Sequence, residues 1–201
     1  MTDSKKLLFD KEARCGGFYE LCIQVCPSLD NNPINLYTDF LWTQLNVEGP
    51  FEETSNGYTS SKLEYENGIN NGVIKIDKYS IPFLTYNVRE INPIETGFNW
   101  FDICFYEETL NKTFEVENVF TEENTKFKNI IDTYLTTLTR DLFRLYPFQL
   151  AMIDFEISGQ YYLDNLINGD LNNWTNTNYF IGKQSLMAIK EEYKNLVTLV
   201  D

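Results

Sequence analysis

Carboxylates supply the densest chemistry in this sequence. Asp154 and Glu156 alternate along the apolar run Phe148–Ile157, and residues two apart on a strand project from one face. Asp102, within Phe98–Tyr106, and Glu20, within Gly17–Cys26, occupy comparable positions. Three or four carboxylates on a sheet face suit Mg²⁺ or Mn²⁺, which prefer oxygen ligands. Such a site would make the chain a metal-dependent hydrolase. A nuclease of that kind usually sets a lysine beside its acids, whereas Glu156 is followed by Ile157-Ser158-Gly159. The plainer alternative is a solvated face, or pairing with Arg140 or Arg144. No tight metal site is expected.

The chain has no histidine. Ser-His-Asp and Cys-His catalysis, His-ligated zinc and histidine general bases are therefore excluded, and an enzyme becomes the less favoured class. Its cysteines are Cys15, Cys22, Cys26 and Cys104. Their C-x₆-C-x₃-C spacing matches no zinc ribbon. Cys22 and Cys26 are four apart on one strand, about 13 Å, too far to share a metal without a bend. All four are expected as thiols with no metal role. Neither G-x-G-x-x-G nor G-x₄-G-K-[ST] occurs, and the doublet Gly16-Gly17 precedes a strand rather than a helix, so no phosphate loop is present. No cofactor is expected. The aromatics of Phe98-Asn99-Trp100-Phe101 would line a small-ligand pocket or simply fill a core.

Charge points elsewhere. The net charge is −14, and it divides as −2 over Met1–Leu45, −10 over Asn46–Glu123 and −2 beyond. That field opposes nucleic-acid phosphates and anionic lipid and draws in cations. With no catalytic set in view, the leading expectation is a non-catalytic acidic binding protein. It would neutralise a basic protein partner, as an immunity protein or an inhibitor of a toxin does. The contact residues would be Glu48, Glu52, Glu53, Glu64 and Glu66 in an irregular segment, with Glu107 and Glu108 at a later turn. The metal-dependent hydrolase and a small-ligand or scaffold module are the alternatives.

These residues need elements to hold them. Tyr19, Leu21, Ile23 and Val25 alternate with Glu20, Cys22, Gln24 and Cys26, which predicts a half-buried strand stopped by Pro27. After Pro33, Ile34, Tyr37, Leu41 and Leu45 recur at helical spacing. Residues 47–72 read as a long irregular loop or hairpin with short strands such as Lys62–Tyr65. Strands follow at Val73–Ile76 and Ile81–Val88, the latter placed near a sheet edge or a bulge by Pro82. Phe98–Tyr106 is the most apolar strand and should lie centrally, with a short strand after it at Thr113–Val116.

A long helix is predicted over Glu122–Leu145, capped by Thr121 and stopped by Pro147. Its stripe comprises Phe127, Ile130, Ile131, Tyr134, Leu135, Leu138, Leu142 and Leu145. Phe148–Ile157 reads as a strand, Tyr161–Asn178 as irregular with a short helix, and Gln184–Val200 as a last helix. Strands grouped in the middle with helices at both ends favour one α+β domain over 1–201. Its sheet would be mostly antiparallel, with at least four strands. No run of 18 apolar residues would span a membrane, and Leu7-Leu8-Phe9 is short for a secretory signal, so the cytoplasm is the expected location.

Overall fold

The first strand shows how the sheet is organised. In the computed structural model, which describes residues 4–29, 33–55, 57–90, 97–169 and 177–201, β1 (Phe18–Pro27) is buried on both faces rather than one. It lies between β6 (Phe98–Tyr106) and β7 (Leu150–Phe155), antiparallel to each. Ile23 faces Phe101 on one side and Ala151 on the other. The second face of β1, with Glu20, Cys22 and Gln24, is buried although two of the three are polar, and alternation alone does not reveal that this face is covered.

Around this core run β2 (Val47–Thr54), β3 (Gly57–Ser60), β4 (Ile69–Ile76), β5 (Tyr79–Arg89), β8 (Asn178–Gly182) and β9 (Val197–Val200). Among the described residues they form one nine-stranded sheet in the order β3-β2-β4-β5-β6-β1-β7-β8-β9. Every ladder is antiparallel except β8 with β9. The helices are α1 (Ser4–Leu7), α2 (Ile34–Trp42), α3 (Glu107–Phe114), α4 (Thr125–Leu145), α5 (Leu163–Asn168) and α6 (Lys183–Leu186). The fold is α+β with a mostly antiparallel sheet. No helix among the described residues is long and apolar enough to cross a membrane.

The long helix packs on one face. Ile131, Leu135, Leu138 and Leu142 are buried at steps of four, three and four, the spacing that keeps residues on one side of a helix. They join Leu21, Ile23, Phe101, Ile103 and Ile153 in the main core. Each fully buried leucine stabilises by roughly 1.5–3 kcal/mol. The helix begins after a 3₁₀ turn at Glu122–Asn124. It stops at Tyr146, whose φ of −152° and ψ of 122° suit a residue preceding proline. Leu145, expected in the stripe, is 41% exposed at this frayed end.

The opposite sheet face has a second, smaller core of Cys22, Trp100, Leu150, Met152, Leu166, Tyr179 and Ile181. It is centred on β1, β7 and β8 and reaches Trp100 and Phe98 of β6 and Val88 of β5, while the face around Leu84, Tyr86, Asp102 and Cys104 borders a cavity.

Several expected elements differ. Lys62–Tyr65 is not a strand, because the Asn70 side chain stands in for a ladder partner. Its Oδ1 accepts from Glu64 N at 2.8 Å and its Nδ2 donates to Glu64 O at 2.8 Å. Thr113–Val116 is not a strand either. Leu110 and Phe114 are buried one helical turn apart in α3, which ends at a left-handed Glu115. Pro82 sits on an internal strand, yet the β5–β6 ladder starts only at Leu84. Pro82 is therefore paired on one side alone, where its missing N–H is tolerated. Leu45 is fully exposed beyond α2, which ends at Trp42. The predicted last helix breaks into α6, a 3₁₀ segment at Glu191–Leu196 and the parallel strand β9. The sheet thus continues past α4 with three strands instead of one.

Candidate ligand cavity

Register brings the acids of two strands together. Antiparallel partners share a face, and β1 pairs Glu20 with Cys104 and Cys22 with Asp102. On the far side of β6, Asp102 faces Tyr86 and Cys104 faces Leu84. These side chains floor a cavity of about 490 Å³ on the open sheet face. That volume is within the range of about 300–1,000 Å³ usual for small-molecule sites. Val88 and Trp100 continue the floor, and Glu156, Ser158 and Gln160 form a wall.

The wall is pinned to β1 by carboxylates. Glu156 adopts φ 52° just past the end of β7, and its Oε1 accepts the Phe18 amide at 2.6 Å. The Glu156 amide in turn donates to Phe18 O at 2.8 Å. A Cβ at Gly17 would lie 2.6 Å from Glu156 Oε1, so this carboxylate reaches its partner only past a glycine. Two residues on, the Ser158 amide donates to Glu20 Oε1 at 2.7 Å, while the Cys104 thiol donates to Oε2 at 3.3 Å. At the other end of the cavity, Glu90 accepts from Trp100 Nε1 at 2.9 Å and from the Phe98 amide at 2.8 Å.

Asp102 is the exception. It is 4% exposed, and its Oδ1 has no hydrogen-bond partner among the described residues. An unmatched buried acceptor costs about 1–3 kcal/mol, more when charged. Burial pushes the Asp102 carboxyl up to about 7, with the neighbouring Glu20 adding to the rise and the Cys22 and Ser158 side chains opposing it. Glu20 is also raised by burial, against the hydrogen bonds from Ser158 and Cys104. Burial holds the Cys22 and Cys104 thiols well above their ordinary range, so neither is a thiolate nucleophile at neutral pH.

Of the four carboxylates expected on a sheet face, Glu20, Asp102 and Glu156 line the cavity. Asp154 stands opposite Glu20 but is engaged elsewhere. Its Oδ2 accepts from Thr177 Oγ1 at 2.5 Å and its Oδ1 from the Phe155 amide at 2.8 Å. Neither predicted arginine neighbours the cavity: Arg144 pairs with Asp141 at 3.3 Å. Among the described residues no three His, Cys, Asp or Glu side chains are placed to hold a metal ion. Cys26 leaves this face altogether. A register shift between Gln24 and Cys26 turns its thiol into the main core.

The acids expected to meet a partner are distributed over several elements. Glu48, Glu52 and Glu53 are on β2, Glu64 and Glu66 in the segment before β4, and Glu107 and Glu108 in the first turn of α3. Glu48 pairs with Lys5 at 2.5 Å and Glu66 with Arg89 at 2.9 Å. Glu107 and Glu108 are only half-exposed.

Sequence reading missed Tyr86, Ser158 and Glu90 as site residues. Tyr86 lay in a predicted strand and Ser158 in a predicted turn, and nothing local marks them as neighbours of Asp102. Comparison with protein families, with characterised proteins and with solved structures finds no match to this chain.

Proposed function

We propose that the protein is a non-catalytic binding module whose site is the cavity above β5, β6 and β1. The observation behind this is Asp102, a nearly buried carboxylate with one unmatched oxygen, in the lining of a space large enough for a small molecule. A cavity with an apolar floor and a few convergent polar groups is the usual form of a ligand site. Its perturbed carboxyls add weight, since such shifts concentrate at functional positions. Binding is favoured over catalysis because the chain has no histidine and the two thiols in the cavity are held protonated by burial. The reading in which acidic side chains hold a basic protein draws on the exposure of Glu52 and Glu53. The scatter of the remaining acids weakens it.

Fragment titration followed by two-dimensional NMR tests the cavity. Ligands should shift the Trp100 indole signal and the amides of Asp102 and Ser158. Ile69→Trp, a filling substitution at a half-exposed position in the lining, should suppress those shifts. A fragment set that moves none of them, or moves them equally in Ile69→Trp, would overturn the assignment.

A further inference from the structure

We propose that the cavity takes an organic ammonium ion, a protonated amine on an apolar or aromatic body, that pairs with the Asp102 carboxylate. This deepens the binding-module reading and rests on it. The lining carries Glu20, Glu90, Asp102 and Glu156 but no lysine or arginine among the described residues. A carboxylate or phosphate ligand would meet four acids with nothing to balance it. A neutral hydroxyl would satisfy the oxygen but leave the charge, whereas an ammonium does both.

The surrounding bonds select the Asp102 carboxylate as the docking group. Both oxygens of Glu20 accept from Ser158 and Cys104, one oxygen of Glu156 accepts from Phe18, and Glu90 holds Trp100 and Phe98. Asp102 Oδ1 alone of these oxygens is both buried and unmatched. A bare metal ion fits poorly, because no three-ligand group exists among the described residues. The rest of the cavity suits a carbon skeleton. Leu84 and Val88 offer apolar floor, and Tyr86 and Trp100 offer rings of the kind that attract organic cations.

Several groups face Asp102: Glu20 and Cys22 from β1, Tyr86 from β5, Trp100 and Cys104 along its own strand, and Glu156 and Ser158 from the wall. The thiols stay protonated, so the carboxyls govern the response to pH. Since Asp102 titrates at about 7, an ammonium must displace a proton below that pH. Affinity should rise by on the order of tenfold per unit from about pH 5.5 and level off near pH 8.

Isothermal titration with phenethylammonium, phenethyl alcohol and hydrocinnamate tests the class on one skeleton. At about pH 8 the ammonium should bind at least about tenfold more tightly than the alcohol, with hydrocinnamate weakest. That advantage should vanish in Asp102→Asn, and in the wild type at about pH 5.5. Ile69→Trp should weaken all three. If the alcohol or hydrocinnamate binds as tightly as the ammonium and Ile69→Trp blocks it, the ligand class is wrong and the cavity reading stands. If Ile69→Trp leaves ammonium binding intact, or none of the three binds at millimolar concentration, both fall. Should Asp102→Asn not fold, the pH comparison and Ile69→Trp decide alone.

Discussion

Asp102 destabilises the folded chain above neutrality, and the sign follows from its shift. Below about pH 4 the carboxyl is protonated in both folded and unfolded chains. Between there and its folded value of about 7, the unfolded chain releases the proton while the folded one keeps it. Stability therefore falls as pH rises through this window and is flat beyond it. Asp102→Asn should match the wild type at about pH 4 and exceed it at about pH 8 by on the order of 1–3 kcal/mol. Melting curves across pH check this, and a constant difference at all pH values would contradict it. The thiols give a second residue-scale test. Cys15 is exposed and the other three cysteines are buried, so Ellman's reagent should label Cys15 quickly and the others only after denaturation. Fast labelling of Cys22 or Cys104 would show that the cavity floor opens. Alternation in the sequence was enough to place Glu20 and Asp102 on strand faces. It could not show that Asp154, apparently their equivalent, is occupied by Thr177, because that contact crosses to a segment with no local signature.

Elements were legible wherever local pattern and burial agree. For α4 the stripe, the acids Glu122 and Glu123 in the 3₁₀ turn that leads into it, and the terminating Pro147 all favour one helix. Leu135→Ala should cost about 2–5 kcal/mol, as deletion of a fully buried leucine does, whereas Leu145→Ala at the exposed end should change stability by roughly 0.5 kcal/mol or less. Urea midpoints separate the two, and equal losses would mean the helix is seated differently. Where spacing fits two structures, tertiary packing decides. Leu186, Ile189, Tyr193, Leu196 and Val200 fit a helical period, yet Val197–Val200 pairs with β8. β-Branched Val197, Thr198 and Val200 favour a pleated surface once a neighbouring strand is available. No reading of residues 184–200 alone supplies that neighbour. For residues 47–72 the sequence left a long irregular loop and a hairpin as alternatives, since Gly, Asn and Glu fit both. The hairpin forms, as β2 and β3 pair at the exposed sheet edge where polar side chains are tolerated, and only the strand expected at Lys62–Tyr65 is missing.

At the scale of the whole molecule, the excess charge of residues 46–123 is presented partly by this edge hairpin. Glu52 and Glu53 are exposed and engage in no ion pair among the described residues. Their joint replacement by lysine should leave the melting temperature within about 2 °C, since surface substitutions seldom exceed ±0.5 kcal/mol. The same replacement should weaken salt-sensitive association with polylysine, read by titration at low and high ionic strength. Unchanged association would confine the role of these acids to solubility. The strand order has a consequence of another kind. β1 precedes β2–β5 in the chain, yet its partners are β6 and β7. During synthesis Leu21, Ile23 and Val25 emerge with no strand to pair with until Phe98–Tyr106 follow, and their other flank stays bare until Leu150–Phe155. Loop closure over such separations is slow compared with helix formation. The centre of the sheet is therefore completed only after residues 150–155 have emerged, and until then β1 is an unpaired apolar segment open to aggregation or to capture by a chaperone.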